Sequence, residues 1–243
     1  MKRLLLLLLT VLLWSPLLAE DDGDTDACYG VSASVDRKLA KGLHVEAETE
    51  VRLQNAGSGM ERWTLGLGMD YKLASWLKVD GGYEFLNRYK PDRTTAGGNR
   101  VNGYWSPRHR WYAGLTGAWA VGRWSLSLRE RYQGTHAPLQ YVPKYRPDGF
   151  RLTDEAEEDE TEHLLRSRLQ AKYNIRHCKF SPSASIELHQ DMSSGMHLDE
   201  VRYVVGGDYK LTKTQTLNLH CRYEERMGKS DGVVVLVGYG YAY

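Results

Sequence analysis

The chain lacks what a disulfide scaffold or a zinc centre needs. Its three cysteines, Cys28, Cys178 and Cys221, are scattered over 243 residues, whereas both kinds of centre draw on closely spaced pairs. Repeated runs of about 20 apolar residues are missing, which excludes a bundle of membrane helices. Mean hydropathy is accordingly low, at −0.53. No charge surplus exists either. With 32 basic and 31 acidic residues, nothing marks a polyanion-binding surface, and nucleic acid is not an expected partner. What is present is aromatic and glycine-rich. Sixteen Tyr and seven Trp argue against disorder, and 24 Gly against 7 Pro suit turns and closely packed strands.

Met1-Lys2-Arg3 is a short basic start, Leu4 to Trp14 is almost unbroken apolar sequence, and Ser15-Pro16 precede a possible cut after Ala19. That order reads as a cleaved secretory signal over residues 1–19. The apolar run is too short to span a bilayer. An acidic segment, 20–28, follows, and one domain is expected over 29–243. Cys28 stands far past the apolar run and without a lipid-attachment box, so no lipoprotein is expected.

From Tyr29 onward the dominant period is two. Leu43, Val45, Ala47, Val51 and Leu53 share one face, opposite His44, Glu46, Glu48, Glu50 and Arg52. A strand separates these residues cleanly, whereas a helix would scatter them. Eleven such segments follow one another: 29–39, 43–53, 63–73, 76–88, 109–121, 124–132, 164–175, 183–191, 200–211, 216–226 and 233–243. Short and long connections alternate between them. Gly68 to Leu73 is echoed by Gly207 to Leu211, so the repeating unit is a hairpin with a tight turn at one end.

The parts are those of an all-β, antiparallel, up-and-down transmembrane β-barrel of the bacterial outer membrane, with short periplasmic turns and longer external loops. Such a wall meets outer-membrane lipid and lipopolysaccharide. Aromatic residues such as Trp63, Trp76, Tyr83, Trp111 and Trp124 fall on the apolar face or at segment ends, where interface girdles form. The last segment alternates through Tyr239, Tyr241 and Tyr243 to a terminal aromatic, which marks a client of the barrel-insertion machinery. Eleven strands would leave the first and last parallel, against the even counts of bacterial barrels. The expectation is therefore 10–12 strands, with twelve preferred through a short extra strand around 22–28. A soluble lipocalin-like barrel is the alternative, with its apolar face inward.

Several stretches carry a resemblance. Val31-Ser32-Ala33 runs into Arg37-Lys38-Leu39, and the strand ends Asp70-Tyr71-Lys72-Leu73 and Asp208-Tyr209-Lys210-Leu211 repeat. With Arg108-His109-Arg110-Trp111-Tyr112 and Leu169 to Ile175, they resemble the family called domain of unknown function 2490, across essentially the whole mature chain. The resemblance implies an outer-membrane barrel typical of Bacteroidota with no assigned activity, and it supplies no catalytic residues.

The residues themselves point the same way. No His-x-Ser occurs, and nothing assembles a nucleophile, base and orienting group. No enzyme, catalytic residue, cofactor or metal is expected. His44, His189 and His220 fall on the polar face, where a hydrogen-bonded structural role is the default. The acidic run Asp154 to Glu162 lacks the spacing of a calcium loop and reads as a solvated loop. Loops 89–108 and 133–163 are the places for an external ligand. Inside the barrel, Arg129 and Arg131 on one strand and Arg166 and Arg168 on the next need acidic partners. Glu46, Glu48 and Glu50 face them from across the lumen, so direct pairs that obstruct the lumen are expected. The function expected is a non-enzymatic structural or surface-interaction barrel with a charge-filled lumen. A narrow ion or small-solute channel is the runner-up, and a lipid-modifying enzyme comes third.

Overall fold

The computed structural model describes residues 25–54, 59–193 and 195–243. The signal segment 1–19 and most of the acidic segment lie outside the described residues. In chain order the strands are β1 Thr25–Ala40, β2 Leu43–Gln54, β3 Gly59–Lys72, β4 Leu77–Lys90, β5 Arg93–Thr94, β6 Arg100–Val101, β7 Tyr104–Val121 and β8 Trp124–Ala137. Then follow β9 Gln140–Val142, β10 Lys144–Tyr145, β11 Glu155–Glu157, β12 Glu160–Tyr173, β13 Phe180–Asp191, β14 His197–Lys210, β15 Gln215–Arg226 and β16 Asp231–Ala242.

Eleven strands close into one barrel in the order β1-β16-β15-β14-β13-β12-β8-β7-β4-β3-β2. They correspond one to one with the eleven alternating segments. The preference for a twelfth strand is corrected. Residues 25–28 lengthen β1 instead of forming a strand of their own, and β1 pairs in parallel with β16 from Thr25↔Asp231 to Asp36↔Ala242. Every other barrel pair is antiparallel. An odd number of up-and-down strands admits no other closure. The seam also sets the start of β1 and the end of β16 at opposite mouths.

Tight turns gather at one mouth. Lys41-Gly42 and Gly122-Arg123 each join paired strands through two residues, and Gly42 (φ 80°) and Gly122 (φ 61°) take the left-handed conformation such turns require. A twelve-residue strand rises about 3.3 Å per residue, so at a tilt of about 40° it spans roughly 30 Å, the thickness of a bilayer's hydrocarbon core.

The outside is apolar. Val31, Leu65, Leu67, Met69, Leu115, Leu128, Leu169 and Val205 are exposed, Leu67 and Val205 at 59%. Two aromatic rings flank this band. Tyr71, Trp76, Trp119 and Trp124 stand towards the turns, and Tyr83, Trp111, Tyr132, Tyr203 and Tyr223 towards the loops. Polar groups hold the loop-side ring in place: the Tyr83 and Tyr132 hydroxyls lie 2.6 and 2.7 Å from Nδ1 of His109 and His163. A lipocalin-like barrel would reverse the faces. Here the charges are inside.

The seam can be tested by a cross-link. Ala33 and Tyr239 are opposite each other across it, and Cα atoms of paired strands lie within disulfide range. With Cys28, Cys178 and Cys221 replaced by Ser, the Ala33→Cys/Tyr239→Cys protein should form an intramolecular disulfide on oxidation of folded protein. An intervening twelfth strand would hold the two about 10 Å apart, and no bridge would form.

Candidate functional site

The inward faces build a polar network along the lumen. Arg52 (β2), Arg62 (β3), Glu84 (β4), Arg110 and Tyr112 (β7), Arg129 and Arg131 (β8), Arg166 and Arg168 (β12), Arg202 (β14) and Arg222 (β15) line a cavity of about 220 Å³ together with Glu46, Glu48 and Glu50. All seven residues expected in the charge network thus face one space. The direct pairs between the two rows do not form, and the physical reason is reach. Arg129, Arg131 and Arg166 each find a carboxylate on a nearby strand before they can span the lumen.

Arg129 Nη2 donates to Glu187 Oε2 at 2.8 Å, and Arg166 Nη2 and Nε donate to Glu187 Oε1 at 2.6 and 3.1 Å. Arg166 Nη1 also reaches Gln133 Oε1 at 2.7 Å. Arg131 Nη2 donates to Asp80 Oδ2 at 2.6 Å, two strands away. Gly114 stands between them in register, where a Cβ would come within 3.1 Å of the Asp80 carboxylate. Arg168 comes no nearer to Glu187 than 4.0 Å. On the acidic side, Glu50 accepts from Arg52 Nε at 2.7 Å and from Arg62 Nη2 at 3.0 Å. Glu46 and Glu48 pair with none of the four arginines among the described residues.

Further groups narrow the space. The Tyr112 ring lies over Gly68 and Gly82, where any Cβ would collide with its hydroxyl, and the Arg131 guanidinium sits 4.0 Å above the ring, a cation–π contact. Arg52 on β2 comes within 3.9 Å of Glu224 on β15, three strands around the barrel. Glu224, only 3% exposed, also faces Arg202, Arg222 and Arg226. The three lumen histidines all touch carboxylates: His44 with Asp36 at 3.1 Å, His189 with Glu187 at 2.8 Å, and His220 with Asp208 at 3.8 Å. Sequence reading passed over Glu224, Arg62, Arg110, Tyr112 and Gln133. Strand parity alone would have placed all five inside.

The long loops are organised as well. β6 of the 91–103 connection pairs with β10 of the 138–159 connection and with β5, while β9 pairs with β11. Arg93 reaches both Glu155 and Glu157, Lys144 Nζ lies 2.8 Å from Glu155, and Lys90 Nζ lies 3.2 Å from Glu157. Val101 and Val142 are fully enclosed. The expectation of a solvated acidic loop is therefore corrected: Glu155–Glu157 is a strand, held by Lys90 at the end of β4, by Arg93 of the neighbouring connection and by Lys144 of its own. The Lys144 ammonium beside it holds the Glu155 carboxyl below the usual carboxylate range. Leu139, Tyr141 and Phe150 stay exposed on this cap. Among the described residues no group of three or more His, Cys, Asp or Glu is arranged to hold a metal ion, and the three cysteines are free thiols.

At the far end of β16, Tyr239 and Tyr243 are exposed. The Tyr243 N–H donates to Asp36 O at 3.1 Å and its carbonyl accepts from Lys38 N at 3.2 Å. Its ring packs 5.5 Å from Tyr241 and 5.3 Å from the Arg37 guanidinium.

An apolar outer wall, a charged interior and a closed hydrogen-bonded ring define a transmembrane-type β-barrel. The chain belongs to the family described as protein of unknown function (DUF2490), whose pattern matches residues 31–233. Among solved structures it is similar to the beta domain of the Bordetella autotransporter BrkA, at 16% identity and a TM-score of 0.54, over 82% of this chain and 83% of that one. An anion-selective porin from Comamonas acidovorans also matches, at 15% identity over 85% of this chain and 82% of that one, with a TM-score of only 0.25. At these identities the first similarity speaks to the fold alone. No curated protein matches.

Proposed function

We propose that the protein is a non-enzymatic outer-membrane barrel with a charge-filled lumen, which anchors the cap of its long loops at the cell surface. The observation that supports this most is the Arg129–Glu187–Arg166 cluster together with the Arg52–Glu224 contact. These ion pairs link β8 to β13 and β2 to β15, and the cavities beside them measure about 220 and 290 Å³. Barrels of about eight strands are filled by side chains and those of sixteen or more leave an aqueous pore; eleven strands with this many long charged residues stand on the filled side. In a lumen of low dielectric, each pair holds its partners against a desolvation cost of several kcal/mol per ion. The cap, with exposed Tyr141 and Phe150 beside ordered strands, is the surface available to an external partner.

The runner-up is a narrow passage for ions or small solutes, favoured by four arginines that line two lumen cavities in common. Swelling of proteoliposomes separates the two. The charge-filled barrel should admit neither pentoses nor amino acids faster than protein-free liposomes, whereas rapid swelling in either solute would establish passage.

A further inference from the structure

The lumen is short of negative charge on one side. Arg52, Arg62, Arg129, Arg166, Arg168, Arg202 and Arg222 crowd around four carboxylates, Glu50, Glu187, Glu200 and Glu224, and Glu224 is shared with Arg226, which also meets Asp26. The shortage falls on two of the arginines. Arg168 lies between Arg129 and Glu187 in register, but it comes no nearer to Glu187 than 4.0 Å, and its Nε has no hydrogen-bond partner among the described residues. Arg222 lies opposite Val204 and Val234, so neither neighbouring strand offers it a charge. Its Nε is 2.8 Å from Glu224 Oε1 but out of line for a hydrogen bond. Both Nε and Nη2 of Arg222 are buried donors without an acceptor among the described residues.

These two guanidinium groups, with Arg166 and Arg202, form the wall common to both cavities. The second cavity, about 290 Å³, is otherwise lined by Gln170, Ser183, Ser185 and His220, by Val204 and Leu236, and by one carboxylate, Glu187. Glu187 is already engaged by Arg129, Arg166 and His189. A water takes about 30 Å³ of liquid, so a small anion fits with room to spare. Buried cationic donors without acceptors are costly, and planar guanidinium forks match the oxygens of phosphate and carboxylate. Neutral serine, glutamine and histidine side chains complete a lining able to hydrogen-bond an oxyanion.

We propose that this pocket binds a small multivalent oxyanion, a phosphate-bearing solute, through Arg168 and Arg222. The site does not depend on whether the lumen conducts. An anion seated there supplies the counter-charge that the wall lacks, and it joins β12 to β15 across the two strands between them.

The test is calorimetric titration of the folded full chain in detergent micelles with inorganic phosphate at constant ionic strength, with chloride as the control. Wild type should bind phosphate and show no comparable heat with chloride. Arg168→Gln/Arg222→Gln should weaken phosphate binding roughly tenfold or more, the effect of losing charge-assisted hydrogen bonds. Arg100→Gln, on the exposed cap, should leave it unchanged. Heat-modifiable mobility on gels confirms folding of each protein. Should the double variant fail to fold, Arg222→Lys decides, since it keeps the charge and loses the fork: it should fold and bind several-fold more weakly. No phosphate-specific binding by wild type, or undiminished binding by a folded variant of this pair, would overturn the site.

Discussion

Glu187→Gln should destabilise the barrel by about 3–5 kcal/mol, the cost of removing one partner from a buried ion pair. The carboxylate is 5% exposed and accepts from Arg129, Arg166 and His189, with Arg168 at 4.0 Å. Glutamine preserves the shape and one acceptor oxygen but leaves two enclosed guanidinium groups without a counter-charge. The loss should appear as a lower urea midpoint for protein refolded into lipid vesicles and as a lower temperature at which the folded gel band disappears. Glu158→Gln, on an exposed loop, should stay within about 0.5 kcal/mol of wild type. A Glu187→Gln protein as stable as wild type would mean that the arginines have other partners.

Removal of Tyr243, or Tyr243→Asp, should reduce the amount of protein reaching the outer membrane several-fold. Tyr239, Tyr241 and Tyr243 form the terminal aromatic alternation that the sequence leads us to expect the insertion machinery to recognise. The backbone of Tyr243 also closes the turn-side end of the β1–β16 seam through its two bonds to Asp36 and Lys38. Parallel pairing is slightly weaker per residue than antiparallel pairing, so the seam has the most to lose from a missing bond. Tyr243→Phe keeps both the backbone bonds and an aromatic ring and should be neutral. Equal abundance of the Tyr243→Asp protein in fractionated membranes would remove the residue from both roles.

The strands and their faces could be read from the sequence because period two carries both at once. In Leu43 to Leu53 the burden of specifying "out" falls on Leu, Val and Ala, and that of "in" on Glu and Arg, with no competing helical pattern. Closure could not be read this way. Whether residues 25–28 pair as a separate strand or extend β1 depends on contacts with β16, some 200 residues away. The ion-pair partners were hidden for a related reason. Parity puts Arg166 and Glu46 in the same lumen, but which carboxylate meets which guanidinium depends on register. Register depends in turn on turn lengths and on irregularities such as those at Arg52/Leu53 and His189/Gln190. Glu187 falls opposite both Arg168 and Arg202 only once β12, β13 and β14 are aligned. The cap failed to register for want of local pattern: Glu155–Glu157 finds its strand partner at Gln140–Val142 and its counter-charges at Lys90, Arg93 and Lys144.

Planar-bilayer conductance tests the charge-filled lumen most directly. Wild-type protein should show only small current steps. The triple variant Glu46→Gln/Glu48→Gln/Glu50→Gln should show larger ones, because Arg52 and Arg62 lose the carboxylate that holds them and the acidic wall of the first cavity is neutralised. Large, stable, porin-like channels from the wild-type protein would contradict the account.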